Sequence, residues 1–230
     1  MCIRDSVFTP RANGNAPWTV LEHVRFEDNV VRHSGSAINL LGYDSNDPTQ
    51  QTRDIVVRNN EFSDIDQQRW GGGGIFLQIG DEPADVHVEH NTVVQSGNII
   101  SAYGGTAAAP RKITGFRFAD NIVMHNTYGI YGNAIGMGNL CLAAYFPQSV
   151  VTGNVIAGGQ SQSYPSGNSF PAVADLMTQF RSPTSGDFSL LDSSPLRVLA
   201  SGLAGADFDE LRRATAVMPR SPKNVHESLP

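Results

Sequence analysis

The pattern apolar-x-x-Asn-x-apolar returns five times, at Phe26-x-x-Asn29-x-Val31, Val57-x-x-Asn60-x-Phe62, Val88-x-x-Asn91-x-Val93, Phe118-x-x-Asn121-x-Val123 and Val151-x-x-Asn154-x-Ile156. The asparagines are spaced by 31, 31, 30 and 33 residues. A fixed period of this size marks stacked units, each too small to bury its apolar face without its neighbours. The third unit contains three short runs, at Asp85 to His90, Thr92 to Gln95 and Asn98 to Tyr103, with strand-like alternation in the first. Gly, Asn, Asp and Ser lie between such runs as turn formers. Three strands per repeat predict a three-sided parallel β-helix. The 3.6-residue period of helical repeats and the leucine frame of leucine-rich repeats are both missing.

The asparagine column has a physical reason. Asn tolerates the left-handed backbone of a tight corner, and its amide can bond the next amide in the stack. With coils ~4.8 Å apart, such a ladder satisfies polar groups turned into the core. Phe26, Val57, Val88, Phe118 and Val151 precede it, and Val31, Phe62, Val93, Val123 and Ile156 follow it, as apolar columns.

With these motifs the chain resembles the right-handed parallel β-helix proteins of the pectate-lyase-like superfamily, and through the runs at residues 16–33, 144–159 and 193–211 it resembles more closely the bacterial β-helix-repeat-containing branch. In that superfamily the asparagine ladder follows the second strand of each coil, and a Gly-Ile-x-Leu-like strand forms the first sheet. The matching runs here are Ala37-Ile38-Asn39-Leu40, Gly74-Ile75-Phe76-Leu77, Ile99-Ile100-Ser101-Ala102 and Gly129-Ile130-Tyr131-Gly132. The resemblance spans roughly Trp18 to Gly159. It implies an all-β, right-handed three-sided solenoid and a secreted or periplasmic protein of carbohydrate chemistry. It names no activity, because the same helix carries lyases, hydrolases, esterases, epimerases, tailspikes and adhesins.

The formal charge of −6, with 14 arginines but only Lys112 and Lys223 as lysines, argues against a nucleic-acid partner. No apolar run approaches membrane-spanning length. Met1 to Ser6 resemble the in-frame translation of a sequencing adapter, so residues 1–6 are set aside. The natural chain is then expected to start upstream, with further coils and a secretion signal, and residues 7–17 to be a loop from that missing part. The β-helix is expected over residues 18–159, in about five coils. Residues 160–218 are expected to cap its open end, with a short helix opened by Asp207 or Asp209, and residues 219–230 to be disordered. Setting Cys2 aside leaves Cys141 without a disulfide partner.

Alternation on the first sheet predicts two outward columns, Asn39, Phe76, Ser101, Tyr131 and Leu41, Gln78, Tyr103, Asn133. Amides, hydroxyls and rings suit a polysaccharide, whose hydroxyls need partners and whose C–H faces stack on aromatics. Asn39, Phe76, Gln78, Tyr103, Tyr131, Asn133 and nearby Trp70 are therefore the expected substrate-binding residues, with an ordinary solvated sheet carrying some aromatics as the equal alternative. The loops that follow this sheet, including the insertion Ala134 to Pro147, would border the groove.

Asp44 and Asp81 fall at nearly equivalent positions on successive coils, ~5 Å apart if the register holds. Two such carboxylates would suit a retaining glycosidase or hold calcium; solvated turn residues are the plainer alternative. A lyase would instead need a base and a cation, for which Tyr43, Tyr103, Tyr131 and Arg53, Arg69, Arg111, Lys112 stand near the sheet. His33, Asp64, Gln95 and His125 lie four residues after successive ladder asparagines. His33 over Asp64 is a candidate catalytic pair, or a polar turn stack. Gly71 to Gly74 lack the helix and lysine of a phosphate loop and read as a sharp turn into the first sheet. Glu27, Arg58 and Glu89 read as cross-strand charge pairs on the second sheet. The functional alternatives are thus a lyase or hydrolase and a non-catalytic glycan-binding or cell-surface β-helix.

Overall fold

The computed structural model describes residues 6–199 apart from residues 13 and 45. The adapter-like residues 1–5, the helix expected near Asp207 and the tail 219–230 lie outside the described residues. The chain winds into a parallel β-solenoid of about five coils. After β1 (Ser6–Phe8), the first coil holds β2 (Glu22–Glu27), β3 (Val30–Ser34) and β4 (Ile38–Leu41). The second holds β5 (Arg53–Arg58), β6 (Glu61–Ile65), the single-turn helix α1 (Gln67–Trp70) and β7 (Leu77–Gly80). The third holds β8 (Ala84–Glu89), β9 (Thr92–Gln95), β10 (Ile100–Tyr103) and the small hairpin β11 (Gly105–Thr106) and β12 (Ala109–Pro110). The fourth holds β13 (Arg117–Ala119), β14 (Ile122–Met124), β15 (Ile130–Gly132), β16 (Gly136–Met137) and α2 (Asn139–Tyr145). The fifth holds β17 (Val150–Thr152) and β18 (Val155–Ala157).

These strands stack into three sheets. The first is β1-β4-β7-β10-β15-β16, the second β2-β5-β8-β13-β17 and the third β3-β6-β9-β14-β18. All neighbours are parallel except β16, which turns back antiparallel on β15. Residues 7 and 8, expected in a loop, pair within the first sheet instead, Val7 level with Asn39 and Phe8 with Leu40.

The ladder is continuous. Each of Asn29, Asn60, Asn91 and Asn121 donates both its backbone N–H and its side-chain N–H to the Oδ1 of the next rung, at 2.9–3.1 Å. Asn60, Asn91, Asn121 and Asn154 are buried at 0–1% exposure. The stack extends one rung beyond the repeat, because Asn168, only 14 residues after Asn154, accepts from its N–H and its Nδ2. The apolar columns fill the interior, with Phe62 between Phe26 and Phe76 at ring separations of 6.2 and 5.0 Å.

A second set of columns lies at the corners. His23, Asp54 and Asp85; Asp28, Asn59, His90 and Asp120; and His33 and Asp64 all have φ between 52° and 61°. The strand registers place each set at one level of successive coils. Asn, Asp and His are the non-glycine residues best suited to this backbone, and Gly115 and Gly153 continue the first two sets. The His and Asp residues therefore owe their spacing first to backbone conformation.

Residues 160–171 lie against the last coil, where Tyr164 and Phe170 join the core and Ser169 bridges to Val155. Residues 172–199, also expected in the cap, lie elsewhere, and residues 200–218 lie outside the described residues. Helix α3 (Val173–Met177), the hairpin β19 (Phe180–Ser182) and β20 (Asp187–Leu190), and the helix α4 (Leu196–Leu199) follow. Leu176, Phe180, Leu190 and Leu196 pack on Ile122, Met124, Val155 and Ala157, the outward residues of the third sheet. This segment covers a flank of the solenoid, because that flank is apolar. No helix among the described residues is long and apolar enough to cross a membrane.

Candidate functional site

The outer face of the first sheet differs from expectation on its second coil. Ile38 pairs with Leu77 rather than Ile75, and Leu77 with Ile100. The corner before β7 turns both Phe76 and Leu77 inward, so Phe76 is fully buried against Phe62 and is no binding residue. This two-residue shift brings Gln78 into line. Asn39, Gln78, Ser101 and Tyr131 form one outward column, each half-buried. Leu41 and Gly80 are level with Tyr103 in the next column, and exposed Asn133 lies just past β15.

Gly80 has a specific role in this face. A Cβ there would come within 2.5 Å of the Tyr103 ring. The ring therefore lies flat over the glycine, and its hydroxyl donates to Asn39 Oδ1 at 3.2 Å, two coils away. An aromatic ring lying on a sheet, bordered by amides and a hydroxyl, is a surface on which a sugar ring can stack while its hydroxyls find partners.

The loops beside this face are less open than their lengths imply. Residues 139–146 turn back to bury Cys141, Leu142, Tyr145 and Phe146 in the core, with the Tyr145 ring over Gly132. Burial pushes the Cys141 thiol up to about 12. Asp44 and Asp81 do not form the expected pair. The register of Leu41 with Gly80 puts Gly42 level with Asp81 and leaves Asp44 two residues further on. Asp44, 2% exposed in its side chain, accepts from the N–H of Asn46 at 3.1 Å and of Ala12 at 3.3 Å, with Arg11 3.6 Å away. The Asn46 N–H foremost, against the opposing effect of burial, and then the Ala12 N–H and Arg11 hold its carboxyl below the ordinary value. Asp81 is paired with Arg111 at 2.8 Å. Each carboxylate thus has its own partners, and no group of three or more His, Cys, Asp or Glu gathers among the described residues in a way that would hold a metal ion.

The expected pairing of His33 with Asp64 is present, at the corner between the third and first sheets. His33 Nδ1 lies 2.6 Å from Asp64 Oδ2. Asp66 caps α1, accepting from the N–H groups of Gln68 and Arg69, and this turn returns the Arg69 and Trp70 side chains to the Asp64 carboxylate, to which they donate at 2.7 and 3.0 Å. Burial acts to raise the Asp64 carboxyl, but hydrogen bonds from His33 and Trp70 and the charge of Arg69 outweigh it and hold the carboxyl below its ordinary value. Trp70 therefore belongs to this corner, its ring 5.3 Å from that of His33. Beside it opens a cleft of about 480 Å³, walled by Gln95 and Ser96 and, across from them, by Pro183 to Gly186 and Phe188. Gln95 donates to the carbonyl of Met124, and His125 is buried, so the stack of polar corner residues ends as structure. The glycine run forms the expected turn, so close-packed that a Cβ on Gly35 would sit 2.1 Å from the Gly71 oxygen.

On the second sheet Arg58 pairs with Glu27 at 3.1 Å and Arg117 with Glu89. The architecture is that of a three-sided parallel β-helix with an asparagine ladder and a polar, aromatic outer face on its first sheet. Comparison of the chain with protein-family models, with curated protein sequences and with solved structures gives no match.

Proposed function

We propose that the protein is a secreted, carbohydrate-associated β-helix protein that holds a polysaccharide along the outer face of the first sheet, by binding rather than by chemistry at that face. The observation that carries this reading is the aligned column Asn39, Gln78, Ser101 and Tyr131 beside the Tyr103 ring that lies over Gly80. Its polar groups are uncharged amides and hydroxyls, suited to orient sugar hydroxyls, and the ring supplies apolar contact. Asp44 and Asp81, the acids that would supply glycosidase or calcium chemistry, are held by separate arginines. The secreted, pectate-lyase-like setting rests on the sequence resemblance.

Affinity electrophoresis through gels containing neutral or uronate polysaccharides tests the reading. The expected result is retardation of the wild type by at least one polysaccharide, largely lost in Gln78→Ala and Tyr103→Ala. Equal mobility of all three proteins in every gel would contradict it.

A second reading, catalysis, draws on the His33–Asp64 pair. Donation from His33 Nδ1 to the carboxylate would leave Nε2 as a base beside the cleft. In that case a polysaccharide panel would release reducing ends or unsaturated uronates, and Asp64→Asn would abolish the release.

A further inference from the structure

At the far end of the first-sheet face the chain builds a notch that the repeat does not explain. Its walls are Tyr128, Tyr131 and Met137, and its floor is Gly132 and Gly136, enclosing about 330 Å³. Tyr131 belongs to the outward column of β15, and its partner across the antiparallel turn-back is Met137 on β16. Tyr128 stands at the preceding corner, where its N–H donates to Asn98 Oδ1 at 2.8 Å. The Tyr128 and Tyr131 rings are 5.8 Å apart and inclined at 51°, so they form two sides of a V. Tyr128 and Met137 are 53% and 44% exposed. Gly136 has φ 121°, a conformation that favours glycine.

Resting on the glycan-binding reading above, we propose that this notch is a terminal subsite that stacks one ring of a neutral polysaccharide lying along Asn39, Gln78 and Ser101. Three features select this occupant. The volume is at the low end of the roughly 300–1,000 Å³ of small-molecule sites, which fits one ring. A protein partner would need roughly 20–30 residues a side, against the five that line the notch. The notch also runs directly into the polar column through Tyr131, so a chain stacked here by its C–H face would present its next hydroxyls to Ser101 and Gln78.

The preference for a neutral chain follows from the lining of the notch, two tyrosines, a methionine and two glycines, none of them charged. Arg111, at the border of the sheet, is paired with Asp81. A uronate carboxylate stacked in the notch would lose water without gaining a cation from its lining, which is unfavourable. Neutral hydroxyls lose nothing comparable when amides replace their waters. Tyr128 and Met137 are thus specificity-determining residues for a sugar face, held on a strand pair and a pinned corner before ligand arrives.

Isothermal titration calorimetry with cellohexaose, mannohexaose, xylohexaose and hexagalacturonate tests the proposal on the full chain. The expected result is binding of at least one neutral hexasaccharide, with the uronate at least tenfold weaker. Tyr128→Ala should weaken the neutral ligand about tenfold, while Tyr128→Trp retains it. If Gln78→Ala weakens binding but Tyr128→Ala does not, the notch is no subsite and the sheet-face reading stands alone. Tighter binding of hexagalacturonate would overturn the neutral preference. Failure of all four ligands would overturn the notch and the glycan reading together. Self-association abolished by Met137→Glu, with no sugar bound, would instead assign the notch to a second copy of the chain.

Discussion

Replacing Asn121 by alanine removes one rung from the middle of the ladder, and the structure says what each lost bond leaves behind. Oδ1 of Asn121 accepts from the Asn91 N–H at 3.0 Å and from Asn91 Nδ2 at 2.9 Å, while its Nδ2 donates to the Val88 carbonyl at 2.8 Å and to Asn154 Oδ1 at 3.0 Å. Asn91 Nδ2 keeps the carbonyls of Val57 and Glu89, and Asn154 Oδ1 keeps the Asn121 N–H. The Asn91 backbone N–H keeps nothing, in a stack where Asn91 is 1% exposed. A buried orphan donor costs about 1–3 kcal/mol, and with the other weakened contacts the expected loss is about 2–4 kcal/mol. Asn29 provides the contrast. Its Nδ2 donates to the Glu27 carbonyl and to Asn60 Oδ1, which keeps the Asn29 N–H, so Asn29→Ala orphans no donor and should lose only about 0.5–1 kcal/mol. Urea unfolding followed by circular dichroism, with equal m-values for the variants, measures both. Equal losses at the two positions, or less than about 1 kcal/mol at Asn121, would refute the orphan-donor reasoning.

Other consequences of the structure are as direct. Phe62, fully buried between Phe26 and Phe76, should lose about 3–5 kcal/mol of unfolding free energy as Phe62→Ala, read from the same urea transitions. The Asp64 carboxyl is held below its ordinary value, so its ionised form stabilises the fold above the unfolded pKa, and that contribution disappears as pH falls through the lower folded pKa. Stability measured from neutral pH down through the carboxylate range should therefore fall less steeply in Asp64→Asn than in the wild type. The Cys141 thiol, pushed up to about 12 by burial, should resist alkylation at pH 8 in native protein and react only in denaturant, as read by peptide mass spectrometry. Gly80→Val should displace the Tyr103 ring and weaken glycan retardation as much as Tyr103→Ala does, at little change in charge or stability of the second and third sheets.

The solenoid was legible because its determinants repeat. Five asparagines in matching apolar frames fix the period, and the period fixes the stacking. The sixth rung is hidden from the repeat because the chain reaches Asn168 after 14 residues, omitting two strands; only the short Asn168-Ser169-Phe170 run echoes the frame. Phe76 leaves the outward column for a different reason. In Gly74-Ile75-Phe76-Leu77 the alternation fits two registers, and only the corner geometry decides that strand β7 starts at Leu77. The same ambiguity made Asp44 and Asp81 look level. His33 and Asp64 were found as a pair from spacing alone, but Arg69 and Trp70 join them through the Asp66-capped turn, and the far wall of the cleft comes from residues 183–188, more than a hundred residues later. The notch at Tyr128 and Met137 depended on an antiparallel turn-back that no repeat encodes. Local periodicity therefore reveals the scaffold, while the sites arise where the chain departs from it.

The central claim, that a glycan lies along the first sheet, is tested most directly by mapping. Titration of the neutral hexasaccharide with highest affinity into ¹⁵N-labelled protein, followed by amide and side-chain NMR shifts, locates the contact residue by residue. The account predicts perturbations in one continuous stripe through Asn39, Gln78, Ser101, Tyr103 and Tyr131. Shifts confined to the His33–Asp64 corner, or saturating amounts of every neutral glycan without any shift on the first sheet, would contradict it.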